Sequence, residues 1–438
     1  MTDETNPPPS PQRLARRVDP LDGRFRVPGS KSLTNRALIA CAVAGGGSIV
    51  CPLDCEDTRL LAGALGGAGW SVRWSPDRIE IGPRSPHSGP CELFLGNSGT
   101  GARLLLGLLA ASPGRFTVDG TERLRERPMG PLIEALAGLG AEIHSRNGHL
   151  PIEVTGRTLD GGRIAVTPQV SSQFVSSLVL AAPLMRHGLD LEVVGDLPSA
   201  PYLDLTRDVM AAFGADTDVS DDRRRWRVGV RGLQSVQYAV EGDWSAAAFG
   251  LTAASVAGGT VHVGPLRRES RQGDRVVCDV LSAGGTRLRF DDTGVSASGR
   301  RTRPIEWDLA DCPDLFPALA SVIAVGVPGS RLTGLDHLRH KESDRLSVMV
   351  DNLSRLGARF RGTGSALQVV ESVRSSPPDE RRRVTAAGDH RIAMAMAVVS
   401  LAAGPLVIDD PTVVVKSFPD FWSEWDAMLG RRQSDEST

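Results

Sequence analysis

In the second half of the chain, HKESDRL gathers Lys341, Glu342, Asp344 and Arg345, and GDHRIAMAMA puts Asp389, His390 and Arg391 at the mouth of an apolar stretch. Acids and bases this close commonly mark a solvated, ion-paired turn. A helix that is apolar throughout, however, has no reason to open on three ionisable groups unless they face a site. Asp314 in DCPDLFPAL and Lys416 in KSFPDFW add a further carboxylate and cation. In the first half, RVPGSKSLTNRAL carries Lys31, Ser32 and Arg36, and LFLGNSGTGARLL carries Asn97, Gly99, Thr100 and Arg103. GTERLRERPMGPL supplies Arg127, VSSQFVSSLVLAAPL opens with Ser171, Ser172 and Gln173, and PSAPYLDLT adds Ser199 and Tyr202.

These residue types suit two tasks. Paired carboxylates such as Asp314 and Glu342 can take and give protons. Lys and Arg beside helix starts, where backbone N–H groups point outward, attract phosphate and carboxylate. The cations outnumber what one phosphate needs, so two anionic substrates are expected. GSKS is not a nucleotide P-loop, because Ser30 stands where that motif requires Gly before Lys. Ser32 and Thr34 are predicted to cap a helix over 35–44. Hydroxyls such as those of Ser171 and Ser172 can equally be plain helix caps, and the Gly-rich run at 96–101 a plain loop.

The elements that position these residues follow one pattern. An apolar-periodic helix ends in Gly and passes directly into an alternating strand. The glycines are Gly69, Gly140, Gly214, Gly284, Gly357 and Gly430, at intervals of 71, 74, 70, 73 and 73 residues. A left-handed Gly at the helix end lets the chain turn into a strand. A unit of this size cannot bury its own apolar face, so copies must pack together. Six copies predict two bodies of three units, with polar clusters at helix starts pooled into one anion-attracting cleft.

Composition narrows the classes. The 438 residues suit two or three domains, and a formal net charge of −2 from 50 basic and 52 acidic residues argues against a nucleic-acid or membrane-surface binder. The six cysteines form no CxxC pair and match no zinc spacing, so reduced thiols and a cytoplasmic location are expected. The Pro-rich start lacks a signal-peptide core and is expected to be disordered over 1–13, with a polar tail at 431–438. The apolar run from Ile392 to Ile408 is broken by Gly404-Pro405, which predicts a core helix and a strand rather than a membrane span.

GSKSLTNRAL, GNSGTGAR, VSSQF, HKESDRL and GDHRIAM, in this order, resemble the 5-enolpyruvylshikimate-3-phosphate synthases, the 3-phosphoshikimate 1-carboxyvinyltransferases. The resemblance runs from about Leu21 to Gly430. It implies an α/β fold of two inside-out α/β barrel domains, each of three βαβαββ repeats, six repeats of ~72 residues in all. Domains of 14–27 plus 242–430 and of 28–241 are expected, closing on the substrates. The reaction implied is transfer of the carboxyvinyl group of phosphoenolpyruvate to 3-phosphoshikimate, with release of phosphate, in the shikimate pathway to chorismate and aromatic amino acids.

The resemblance also implies roles. Lys31 touches both substrates, and Ser32, Arg36, Ser171, Ser172, Gln173, Ser199 and Tyr202 hold the shikimate phosphate. Asp314 and Lys341 hold the ring hydroxyls, with Asp314 as base and Glu342 as proton carrier. Asn97, Gly99, Thr100, Arg103, Arg127, Gln173, Arg345, His390, Arg391 and Lys416 bind phosphoenolpyruvate. No metal, cofactor, nucleic-acid or membrane partner is implied, and a monomer is expected. Leu104 stands where many members have Pro, which bears on the stiffness of this loop and its response to glyphosate. His337 stands where some members place Asn against the shikimate phosphate. Two other readings share the fold: a UDP-N-acetylglucosamine enolpyruvyl transferase and a non-catalytic anion binder. The first resembles proteins with a Cys in a mobile loop, whereas 120–130 here holds Arg127 and no Cys. The second is at odds with the retained Asp314, Glu342, Lys31 and His390.

Overall fold

The computed structural model describes residues 12–14, 20–85, 89–168, 171–376 and 382–430. Contacts divide the chain into two units. One comprises Met1–Val27, Trp244–Arg268 and Asp274–Thr438; the other comprises Pro28–Asp243 with Glu269–Gly273. The short return of Glu269–Gly273 is fastened by Glu241, which accepts from Ser270 Oγ at 2.5 Å and from Gln272 Nε2 at 2.8 Å. The two units are the C-terminal and the N-terminal unit, respectively.

Each unit holds three sheets. In the N-terminal unit, Pro90–Phe94 runs parallel to Gly114–Asp119, which pairs antiparallel with His149–Gly156, and that in turn with Glu142–Arg146. The order of one parallel and two antiparallel pairings recurs in the sheet led by Gly162–Val166 and in that led by Gln237–Ala239. In the C-terminal unit it recurs in the sheet of Leu21–Arg26, Gly259–Gly264, Val295–Ser298 and Arg287–Phe290, and in that of Glu306–Asp308, Arg331–Thr333, Ala366–Glu371 and Arg359–Thr363. The sixth sheet has three strands, Gln12–Leu14, Leu406–Ile408 and Arg382–Val384.

Two expectations differ from the structure. No sheet of the described residues closes into a barrel: all six are open, with one face on helices and the other toward solvent, as the alternating burial of His149–Gly156 records. The disordered tail expected through residue 13 overlaps a strand, because Gln12–Leu14 finds a backbone partner in Leu406–Ile408, nearly 400 residues away. Residues 1–11 and the tail 431–438 lie outside the described residues.

The helices are of two kinds. Lys31–Val43, Gly99–Ala110 and Gln173–Ala181 are buried almost all round in the N-terminal unit and pack on one another. Trp244–Ala257, Phe316–Ile323 and His390–Ala403 do the same in the C-terminal unit. They are rich in Ala and Leu and carry no polar face, the mark of a helix enclosed on every side. Apolar burial stabilises each unit by roughly 1.5–3 kcal/mol per large side chain, so Leu105 and Leu319, both 0% exposed, are core positions. The run from Ile392 to Ile408 is the helix His390–Ala403 followed by the strand Leu406–Ile408. Among the described residues no helix is long and apolar enough to cross a membrane.

The second kind is amphipathic and ends at the spaced glycines. Gly69, Gly140, Gly214, Gly357 and Gly430 all take positive φ one residue past a helix cap. Gly284 does not. It stays helical at φ −71° and Gly285 takes the left-handed turn at φ 99°, because the helix Val277–Ala283 runs one residue further than its apolar pattern suggests. All six cysteines are free thiols, and burial pushes that of Cys41 up to about 12.

Candidate functional site

In the N-terminal unit most of the sequence-predicted residues lie at the starts of the three buried helices, with Arg127 ahead of the helix Gly130–Gly138 and Ser199 and Tyr202 at the start of Pro201–Ala212. The first helix begins at Lys31, four residues before the predicted start, with Ser30 at its N-cap. Neither Ser32 nor Thr34 caps it. The Lys31 N–H donates instead to Asp243 Oδ2 at 3.0 Å, a partner 212 residues distant that no local pattern announces. Lys31 Nζ lies 2.9 Å from Asp57 Oδ2, and both side chains are nearly enclosed.

Arg36, one turn on from Ser32, is 1% exposed. Its Nε donates to Thr206 Oγ1 at 2.9 Å, Nη1 to the Ser32 carbonyl at 3.1 Å, and Nη2 to Ser176 Oγ at 3.3 Å and the Tyr202 carbonyl at 3.1 Å. Four of its five N–H donors thus serve neutral oxygens of the protein. Burial pulls Arg36 down to about 10 against the opposing pull of Tyr202 and Tyr238, so it stays cationic at neutral pH. It ties the Lys31 helix to the helices Gln173–Ala181 and Pro201–Ala212. Ser172 Oγ donates to the carbonyl of Ser199, a non-glycine residue at φ 58°, which fixes the turn ahead of Tyr202.

The second and third helices share a chain of polar contacts. Arg103 Nη1 donates to Gln173 Oε1 at 2.8 Å and Gln173 Nε2 donates to Thr100 Oγ1 at 2.8 Å. Arg103 Nη2 also reaches the Pro128 carbonyl at 3.2 Å. Arg127 lies over Gly99: a Cβ at that glycine would stand 2.5 Å from the Arg127 guanidinium carbon. Gly99 is therefore required by close approach. Arg127 is 5% exposed, and its Nε and Nη1 have no hydrogen-bond partner in the protein. A buried guanidinium in that state, over a helix N-terminus, is equipped to take an anion. Asn97 ends the loop ahead of Gly99 and is half-buried. Leu104, next to Arg103, is 0% exposed and belongs to the core.

In the C-terminal unit the arrangement centres on Arg345, whose side chain is 1% exposed. Nη1 lies 2.8 Å from Asp314 Oδ1, Nη2 2.7 Å from Glu342 Oε2, and Nε 2.7 Å from Asp389 Oδ2. One guanidinium thus holds three carboxylates. Asp314 also lies 3.1 Å from Arg391 Nη2 and 3.4 Å from Lys341 Nζ. Burial pushes the Asp314 carboxyl up, but Arg391, Lys341 and Arg345 outweigh it and hold it well below the usual range. It is an anion at neutral pH despite the nearby Glu342. HKESDRL is thus not a wholly solvated turn: Ser343 and Arg345 are buried and Lys341 and Glu342 half-buried, while Asp344 stays exposed.

Helix starts again do the positioning. Asp314 sits in the turn Pro313–Leu315 that leads into Phe316–Ile323. Asp344 caps Arg345–Arg355 by accepting from Ser347 N, and Asp389 caps His390–Ala403 by accepting from Arg391 N. His390 is fully enclosed beside Asp389. Lys416 ends the separate turn Pro411–Lys416 and is buried. His337 is held neutral: burial and then Lys341 lower it to about 4, against the pull of Asp314, Asp336 and Asp308.

The sequence points to none of Asp57, Asp243, Ser176 and Thr206, and gives Asp389 no role. Asp57 falls in the first turn of the helix Glu56–Gly67, where acids are common for dipole reasons alone, so its sequence carried no distinguishing signal. Asp389 did carry one, as an acid at the mouth of an apolar helix. Among the described residues no group of three or more His, Cys, Asp or Glu is placed to hold a metal ion.

Buried cations at helix starts in one unit, and carboxylates gripped by a guanidinium in the other, define an enzyme that handles anionic substrates with acid–base groups. The profile of the EPSP synthase family, 3-phosphoshikimate 1-carboxyvinyltransferase, matches residues 15–425, and the chain belongs to that family. It is similar to the 3-phosphoshikimate 1-carboxyvinyltransferase of Syntrophobacter fumaroxidans, 37% identical over 95% of this chain and 100% of that one. The Methanoculleus marisnigri protein of the same name is 40% identical over 92% and 96%. Among solved structures, EPSP synthase from Acinetobacter baumannii superposes with a TM-score of 0.74 at 26% identity, covering 95% of this chain and 97% of that one.

Proposed function

We propose that the protein transfers the carboxyvinyl group of phosphoenolpyruvate to the hydroxyl of 3-phosphoshikimate and releases inorganic phosphate. Family membership over nearly the whole chain supports this, and the observation that carries the chemistry is the sharing of Arg345 by Asp314 and Glu342. The hydroxyl oxygen bonds to C2 of phosphoenolpyruvate as its proton leaves and a proton joins the methylene carbon. The C–O bond to phosphate then breaks as one methyl proton departs, which restores the double bond. Asp314, an anion among cations, accepts the hydroxyl proton, and Glu342 carries the proton exchanged at the methylene carbon. Lys31 serves both substrates.

Arg103, Arg127, Arg345, Arg391 and Lys416, with Asn97, Gly99, Thr100, Gln173 and His390, hold the phosphate and carboxylate of phosphoenolpyruvate. Ser32, Arg36, Ser171, Ser172, Gln173, Ser199, Tyr202 and Lys341 hold 3-phosphoshikimate. Arg36 does so mainly by ordering Ser32 and Tyr202, since one N–H donor remains to it. The same reading makes the protein a cytoplasmic monomer without a cofactor, built of six related βαβαββ units. Incubation with phosphoenolpyruvate and 3-phosphoshikimate should release phosphate and yield the carboxyvinyl ether. Release only when a UDP-sugar replaces 3-phosphoshikimate, or no release with either, would overturn the assignment.

A further inference from the structure

One turn below the contact between Arg103 and Gln173, the same two helices touch again. Ser177 Oγ donates to the Arg103 carbonyl at 2.6 Å and accepts from the Gly107 N–H at 3.2 Å. The hydroxyl thus bridges the carbonyl and the N–H of one rung of the helix Gly99–Ala110. Gln173 and Ser177 are four residues apart, on the same face of their own helix. They grip Arg103 at its two ends, the guanidinium and the backbone carbonyl. Ser177 is 0% exposed and Arg103 3%. The contact depends on Gly107, where a Cβ would stand 2.6 Å from both the carbonyl oxygen and the hydroxyl of Ser177.

A buried serine between packed helices is often no more than a satisfied polar group. Here both halves of its hydrogen-bonding capacity go to the helix that carries Arg103, and one partner is Arg103 itself. Two contacts a turn apart fix both the height and the rotation of one helix against the other, which a single contact cannot do. We propose that Ser177 is a positioning residue that sets the register of the helix Gly99–Ala110. It thereby aims the Arg103 guanidinium at the incoming anion. This rests on the reading that Arg103 binds phosphoenolpyruvate.

The test compares Ser177→Ala, Gly107→Ala and Arg103→Met in the full-length protein, by steady-state kinetics in both substrates and by melting temperature. Ser177→Ala removes one oxygen and is expected to raise KM for phosphoenolpyruvate about tenfold, because small displacements of a positioned group weaken its action steeply. KM for 3-phosphoshikimate, kcat and Tm should stay near wild type, whereas Gly107→Ala, which forces the helices apart, should raise KM for phosphoenolpyruvate further. An unchanged KM for phosphoenolpyruvate in Ser177→Ala, while Arg103→Met raises it, overturns the positioning role. So does a parallel worsening of both KM values with a lower Tm, the sign of packing alone. If Arg103→Met leaves KM for phosphoenolpyruvate unchanged, the assignment of Arg103 fails and the inference falls with it.

Discussion

Two buried guanidiniums, Arg36 in the N-terminal unit and Arg345 in the C-terminal unit, are kept in opposite ways. In the N-terminal unit, Arg36 is surrounded by hydroxyls and carbonyls, and Arg127 has N–H groups with no protein partner. In the C-terminal unit, Arg345 is matched by Asp314, Glu342 and Asp389. A buried cation without a carboxylate is costly to hold and correspondingly eager for an anion. A buried cation with three carboxylates has spent its attraction internally, and what it offers is control over where those carboxylates sit and whether they carry protons. The first arrangement is suited to binding phosphate and carboxylate, and the second to moving protons.

The largest effects should come from the proton-handling side. Glu342→Gln and Asp314→Asn keep shape while removing a titrating group, and turnover should fall by about 10²–10⁴. Dissociation constants for both substrates should change much less, because the cations remain. Near-normal turnover in either folded variant would remove that residue from the chemistry. A loss confined to melting temperature would leave it an ordinary ion pair.

Next is stability. Arg345→Met removes the guanidinium that Asp314, Glu342 and Asp389 share, leaving Asp314 to Arg391 and Lys341, and should destabilise by about 3–5 kcal/mol. Arg36→Met leaves only hydroxyls and carbonyls without a donor and should cost about 1–3 kcal/mol. Urea midpoints of the two variants give the comparison directly. Equal losses would mean that the carboxylates around Arg345 are not the distinguishing feature.

The C-terminal unit should also carry a distinct pH response. His337 is held at about 4, below its usual 6.5, by burial and Lys341. Its neutral form is favoured by folding, so this share of stability is complete above pH 6.5 and is lost as pH falls toward 4. Asp314, held below the usual carboxylate range, acts in a separate window: its share is complete above pH 3.8 and lost only as pH drops further. Melting temperature measured from pH 7 to 4 should therefore flatten in His337→Asn. An unaltered slope would show that His337 titrates freely. The smallest expected effect is that of a chelator. Turnover in EDTA should match that without it, and a complete loss restored by added metal would contradict the acid–base reading.

Much of this was legible in the sequence where the signal is local. Helix ends carry their own punctuation, because a left-handed residue is needed wherever a helix turns sharply into a strand, and glycine meets that need with least strain. The single displacement, from Gly284 to Gly285, arose where two glycines adjoin and either can serve. Arg345 and Glu342 were found together because three residues apart on a chain entering a helix is close in space. Asp57 and Asp243 were not, since an acid beside Lys31 in space stands 26 or 212 residues away along the chain.

By itself, then, the sequence determined the family, the class of chemistry, the amphipathic helices that end in glycine and the apolar helix after His390, and it offered most of the residues proposed for the site. Period, capping and charge type are properties of short segments. Only the tertiary structure decided which cation meets which anion, that the Lys31 helix is capped from across the chain, that Arg36 spends its donors on neutral oxygens, and that Ser177 grips the helix of Arg103. Those outcomes depend on packing between distant segments, where a few tenths of an ångström separate a hydrogen bond from a void, and no local pattern encodes such a distance.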